Sequence, residues 1–305
     1  MIDHAEDGDC MKPFVIFLAF FSVPLICLAQ HPKSVPEESR VPELIAQCKP
    51  AVVALGVVTT SRIADEVATP VAEIALPNGQ KNYLYVNGSG FFVSADGLIV
   101  TAEHVVSNLP EPLPVILPDG KVMAARVVAR SKERDFAVLK VDGAGLPFLQ
   151  FGSFSDLKEG EELIFIGYPF MELREITHKG MVSWKGKLVW KGEEGDLPGA
   201  NFLQLNAIIN NGNSGGPLID IKTGRVVGII KAKYGRLSPY LKDIKDGKVS
   251  SRVNLVGGGF DLLRFVKDAV EVVDRDIQMG VGFAVSGQYA EEQVKSILDT
   301  VRPKH

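Results

Sequence analysis

The sequence predicts an all-β protein, built as barrels or a sandwich, on three observations. Short apolar, β-rich runs recur at 51–58, 83–86, 90–94, 98–101, 113–117, 121–129 and 136–141, then at 162–168, 180–190, 202–209, 217–221, 225–231 and 281–285. Turn signals separate them: Pro77-Asn78-Gly79, Asp96-Gly97, Pro118-Asp119-Gly120 and Asp142-Gly143. The runs fall into two sets of similar size joined near residues 142–160, which predicts two barrels in series.

The chain before the first strand reads differently. Met11-Lys12-Pro13 precedes an apolar run from Phe14 to Ala29, with Gln30-His31-Pro32 after it. A basic start, a short apolar stretch and a small residue at its end mark residues 1–29 as a signal peptide cleaved after Ala29. The run is short for a membrane span and is interrupted by Pro24, so no stable span is expected after cleavage. Asp3, Glu6, Asp7 and Asp9 carry the wrong charge for a signal peptide's start, which makes Met11 the alternative initiator. Cys10 and Cys27 go with this segment, leaving Cys48 without a partner; it is expected as a half-buried apolar residue rather than a reactive thiol. The expected divisions are then an N-terminal segment with a short helix (30–49), a first barrel (50–142), a second barrel (143–286) and a C-terminal helix and tail (287–305). Within the second barrel, 235–279 is an insertion in which Leu262, Leu263, Val266, Ala269, Val270 and Val273 recur at helical spacing over 260–277.

Composition excludes some functions. The 305 residues are 46% apolar and 23% charged, which is globular rather than disordered. A formal charge of −4 and the lack of a long basic run argue against a nucleic-acid partner. No His/Cys cluster has ligand spacing, so neither a metal nor another cofactor is expected.

Chemistry concentrates at residues 210–218, NNGNSGGPL, where Ser214 stands among glycines. Gly212-Asn213-Ser214-Gly215-Gly216 fits the G-x-S-x-G nucleophile elbow, but that motif needs a helix after the serine and a histidine downstream. Pro217 and another strand follow instead, and the next histidine is the last residue, His305. A phosphate loop needs a Lys-Ser or Lys-Thr step, and there is none. A base for Ser214 must therefore lie upstream. His104, in LIVTAEHVV just after a strand, fits better than His178, expected as a partly exposed strand residue. Asp135, at the start of DFAVLKV, is placed to orient the histidine, whereas Asp119 and Asp142 fall in solvated turns. The catalytic candidates are thus His104, Asp135 and Ser214. A neutral imidazole would remove the hydroxyl proton and return it to the leaving amine, with the carboxylate fixing the tautomer. The glycines would let backbone N–H groups converge on an oxyanion.

With these motifs in place, GSGFFVSADGLIVTAEHVV (88–106), RDFAVLKV (134–141), NNGNSGGPL (210–218) and MGVGFAV (279–285) resemble the HtrA/Deg-type trypsin-like serine proteases. The resemblance covers roughly residues 41–300. It implies a chymotrypsin-like double β-barrel with the site between the barrels, and an oxyanion hole of the N–H groups of Gly212 and Ser214, with Asn213. It also implies a P1 pocket lined by Ile209, Lys233 and Tyr234, and protein or peptide substrates. Two departures stand out. The chain ends just after the terminal helix, so no PDZ domain is expected, and the 235–279 stretch is longer than the family's usual loop, making it a lid, a specificity element, a partner site or simply a surface helix. The family's frequent trimers are joined partly through N-terminal segments; here 30–45 holds no aromatic residue. The expected function is an exported, periplasmic or secreted serine endopeptidase acting through an acyl-enzyme on unfolded or damaged proteins. The alternatives are a binding or chaperone-like module with a closed site, and an esterase on the same fold.

Overall fold

In the computed structural model, residues 40–63, 69–169, 172–188, 191–192, 195–196, 199–233, 256–257, 260–261, 266 and 281–301 are described. The signal peptide, Tyr234, the Lys233 side chain and the 260–277 stretch other than Phe260, Asp261 and Val266 lie outside that description. Phe260–Asp261, expected to open a helix, form a two-residue strand instead because they pair with Val256–Gly257.

A short helix, α1 (Val41–Cys48), leads into the first barrel. Its strands are β1 (Val52–Thr59), β2 (Ala72–Ala75), β3 (Lys81–Phe92), β4 (Leu98–Thr101), β5 (Leu113–Ile116), β6 (Val122–Ser131) and β7 (Phe136–Val141). They hydrogen-bond in the order β1-β5-β6-β7-β4-β3, and a β1–β3 pairing closes the ring. Strand β2 adds to the outside of β3. All pairs are antiparallel, and closure leaves no free edge among the six ring strands. The helix α2 (Glu103–Val106) caps the end of β4.

The second barrel repeats the plan. Strands β8 (Glu162–Gly167), β9 (Ile176–Leu188), β12 (Ala200–Asn206), β13 (Pro217–Asp220), β14 (Val226–Lys233) and β17 (Val281–Ser286) close in the order β12-β17-β14-β13-β8-β9. Two-residue ribbons, β10 (Lys191–Gly192) with β11 (Gly195–Asp196) and β15 (Val256–Gly257) with β16 (Phe260–Asp261), lie outside it. The helix α3 (Gln288–Val301) ends the described chain. Two closed six-stranded antiparallel barrels confirm the fold class expected from the strand pattern.

Alternation along the strands makes each barrel interior. Val53, Leu55, Phe92, Ile99, Val115, Ala137 and Leu139 fill the first, and Leu163, Phe165, Val182, Leu203, Leu205, Leu218 and Ile230 fill the second. A third cluster joins them: Phe91, Val100 and Val138 from the first barrel, with Ile164, Ile166 and Phe202 from the second. Burying each such side chain contributes about 1.5–3 kcal/mol, so this shared cluster helps hold the two barrels together.

Local detail departs from the sequence pattern where pairing overrides punctuation. Asn87-Gly88-Ser89 separates the runs 83–86 and 90–94, yet the ladder to β1 (Leu55↔Gly88, Ala54↔Ser89) carries β3 straight through. Strand β2 has no apolar alternation to signal it and is held by pairing with β3. Cys48 is buried, and burial pushes its thiol up to about 11. Its role is packing, as expected, because the reactive thiolate form is suppressed.

Candidate active site

His104 comes from α2, Asp135 from the residue just before β7, and Ser214 from the loop between β12 and β13. The first two belong to one barrel and the third to the other. Main-chain geometry sets Asp135: its φ is +48°, the one positive φ outside glycine among the described residues. Aspartate is among the few side chains that tolerate this region, and such strain concentrates at functional sites. The left-handed residue turns a carboxylate that is only 6% exposed onto His104. His104 Nδ1 lies 3.0 Å from Asp135 Oδ1 and 2.9 Å from Oδ2, and the His104 backbone N–H donates to Oδ1 at 3.0 Å. The acid thus holds both the ring and the helix turn that carries it, leaving a side chain that is 47% exposed.

Burial alone would push the Asp135 carboxyl up. The hydrogen bond and charge of His104, followed by the ammonium of Lys231, overcome that cost and hold it below the ordinary carboxylate value. Lys231 Nζ lies 3.3 Å from Asp135 Oδ2. The carboxylate therefore stays ionised.

The nucleophile loop is two consecutive turns. Asn213 N–H donates to Asn210 O at 3.1 Å with Gly212 at φ +96°, and Gly216 N–H donates to Asn213 O at 3.0 Å with Gly215 at φ +85°. Positive φ at the third residue defines type II turns, which favour glycine there. A Cβ at Gly212 would overlap the Tyr168 carbonyl, and one at Gly215 would overlap the Ser89 carbonyl and the Thr101 hydroxyl. Both glycines are therefore required by conformation and by space. Gly215 N–H is held by Ile230 O at 2.7 Å. No hydrogen bond joins the Gly212 or Ser214 N–H to another described residue. The Asn213 N–H expected beside them is taken up by the Asn210 carbonyl, because closing the first turn uses it.

Ser214 Oγ donates to the Lys231 carbonyl at 2.9 Å rather than to His104.

Ser89 was not singled out by sequence and ties the two barrels together at the site, with Thr101 bonded to it within the first barrel. Ser89 Oγ donates to Gly212 O at 2.6 Å and accepts from Tyr168 N–H at 2.9 Å. Its N–H donates to Ser214 O at 2.9 Å, and its carbonyl accepts from Thr101 Oγ1 at 2.7 Å. A strand of the first barrel thereby fixes the peptide between the two free donors. The GSGFF motif contains this serine, but it falls in the gap between the apolar runs 83–86 and 90–94, where the sequence assigns it no role.

The remaining candidates are not gathered here. Ile209 is buried in the second barrel's core, against Gly282, while its neighbour Ile208 is 48% exposed. Among the described residues, Ile208 rather than Ile209 reaches solvent beside the nucleophile loop. His178 lies on β9, stacked on Phe165 at 4.7 Å, with burial lowering its pKa. No group of three or more His, Cys, Asp or Glu side chains suited to a metal occurs among the described residues.

The trypsin-like peptidase domain family matches residues 88–229, which contain His104, Asp135 and Ser214. A probable periplasmic serine endoprotease DegP-like of Ectopseudomonas mendocina is 40% identical over 168 residues, covering 54% of this chain and 33% of that protein. Its counterpart from Rickettsia prowazekii is 35% identical over 180 residues, covering 53% and 34%. The chain thus spans about a third of the length of these curated relatives. Among solved structures, the HtrA-type protease AlgW with decapeptide superposes with a TM-score of 0.60 at 26% identity, covering 85% of this chain and 67% of that one.

Proposed function

From its similarity to the trypsin-like peptidase domain, to DegP-like endoproteases and to an HtrA-type protease structure, we propose that the chain is an HtrA-type, exported, periplasmic serine endopeptidase that cleaves unfolded or damaged proteins through an acyl-enzyme. The observation that carries this reading is the pairing of His104 Nδ1 with the buried Asp135 carboxylate, facing a serine set between two free backbone donors. The relatives' names, periplasmic serine endoproteases, support both the compartment and the substrate class. No helix among the described residues is long and apolar enough to cross a membrane.

In this reading the scissile carbonyl enters beside Ser214, and its oxygen takes the N–H groups of Gly212 and Ser214. Ser214 Oγ leaves the Lys231 carbonyl, gives its proton to His104 and attacks the carbonyl carbon. The imidazolium, held by Asp135, then protonates the leaving amine. Water repeats the sequence on the ester and releases the acid. Negative charge develops on an oxygen faced by prearranged donors, each worth roughly 2.7–4 kcal/mol of barrier. In this reading the exposed Ile208, beside the nucleophile loop, meets the substrate side chain.

The resting bond from Ser214 to the Lys231 carbonyl favours one other reading, a binding module whose nucleophile stays turned away. Incubation with unfolded casein and with small activated esters separates the possibilities. An endopeptidase degrades casein, and Ser214→Ala abolishes this. Ester turnover without casein cleavage would indicate an esterase, and neither activity would leave the binding module.

A further inference from the structure

We propose that Lys231 is a positioning residue of the active site, a built-in counter-charge that shares the Asp135 carboxylate with His104 and so keeps the base functional at lower pH. This inference rests on the serine-protease reading above.

Backbone register aims the side chain. Strand β14 pairs with β17 through Ile230↔Ala284 and then Ala232↔Phe283, so Lys231 is the extra residue of a bulge. Bulges bend a strand and redirect a side chain, and they recur beside active sites. Lys231 uses both of its ends at the site. Its carbonyl accepts the Ser214 hydroxyl at 2.9 Å, and its ammonium reaches Asp135 Oδ2 at 3.3 Å. The amine also lies 5.5 Å from the centre of the buried Phe202 ring. With its side chain only 14% exposed, the charge is held in place rather than solvated.

The charged and titratable groups around this carboxylate can be named. From α2 come His104 and, next to it, the buried Glu103; from β14 comes Lys231. On Asp135's own loop Lys132, Glu133 and Arg134 are exposed, and Arg134 stacks on the Tyr289 ring of α3 at 4.3 Å. Among the described residues, Lys231 is a cation paired with Asp135 besides His104 itself. A fixed positive charge on Oδ2 weakens the carboxylate's hold on an imidazolium, because like charges at short range disfavour each other. With Lys231 in place, activity should therefore extend to lower pH than without it.

The test is the pH profile of kcat/KM for wild type, Lys231→Met and Lys231→Arg. Lys231→Met removes the charge at nearly constant length, and its acidic limb should move to higher pH by roughly half a unit or more. Lys231→Arg keeps the charge and should retain the wild-type limb. A role in packing alone would lower the plateau of both variants without moving either limb. An unmoved limb in Lys231→Met, or a limb in Lys231→Arg displaced as in a charge-removing variant, overturns the proposal. Should Lys231→Met fail to fold by circular dichroism, Lys231→Gln and Lys231→Arg carry the same contrast. An inactive wild type would instead count against the protease reading itself.

Discussion

Ser214→Ala and His104→Ala should each lower kcat on a peptide substrate by about 10⁶-fold, and the double variant should be no worse than either alone. The reason is geometric. Ser214 acts only after a base removes its proton, and His104 acts as that base only when a hydroxyl is there to give one. His104 is fixed by two contacts to Asp135, whereas Ser214 approaches it from the other barrel, so neither residue retains its function without the other. Single-turnover kinetics on the three variants checks this. Losses that multiply in the double variant would mean that the two side chains act independently, which the arrangement does not allow.

Asp135→Asn should cost about 10⁴-fold in kcat with little change in the fold around His104. An amide of the same shape still reaches the ring, but it can present its NH₂ to Nδ1 and favour the wrong tautomer. It also removes the charge that stabilises the imidazolium. The change should lower stability as well, because it leaves the largely buried Lys231 ammonium against a neutral group, at a cost of up to about 3 kcal/mol. The sign of the pH dependence follows from the lowered value of Asp135. A carboxyl whose folded-state pKa is depressed contributes stability above its unfolded value of about 3.9, and that contribution is lost as pH falls through the folded value. Wild type should therefore be more stable than Asp135→Asn at neutral pH, and the gap should narrow below about pH 4. Chemical denaturation at pH 7 and at pH 3 measures it.

Much of this was legible in the sequence, for local reasons. Each barrel strand is a short apolar run bounded by turn dipeptides, so the strands and their two sets could be read even though pairings such as β12 with β17 and β8 with β13 join distant segments. His104, Asp135 and Ser214 were legible because each closes or opens a strand beside a distinctive short motif. What stayed hidden depends on contacts between distant segments. Ser89 falls between two apolar runs with no role assigned by sequence, and only the register of β3 on β1 turns it toward Gly212. Asn213 was expected to donate to an oxyanion, but closing its own turn takes its N–H. Ile209 was expected at the pocket, yet its side chain packs on Gly282 across the barrel. In VVGIIKAK, simple alternation puts Lys231 and Lys233 on one face. A bulge of a single residue, set by pairing with a strand some fifty residues later, aims Lys231 at Asp135 instead.

The central claim is that Ser214 becomes an activated nucleophile in the folded chain. Reaction with a fluorophosphonate probe followed by peptide mass spectrometry tests it most directly. The geometry predicts a single adduct on Ser214 in wild type, formed at a rate that falls as pH drops, and no adduct in Ser214→Ala or in heat-unfolded protein. A folded wild-type chain that gains no adduct on Ser214 at any pH would contradict it.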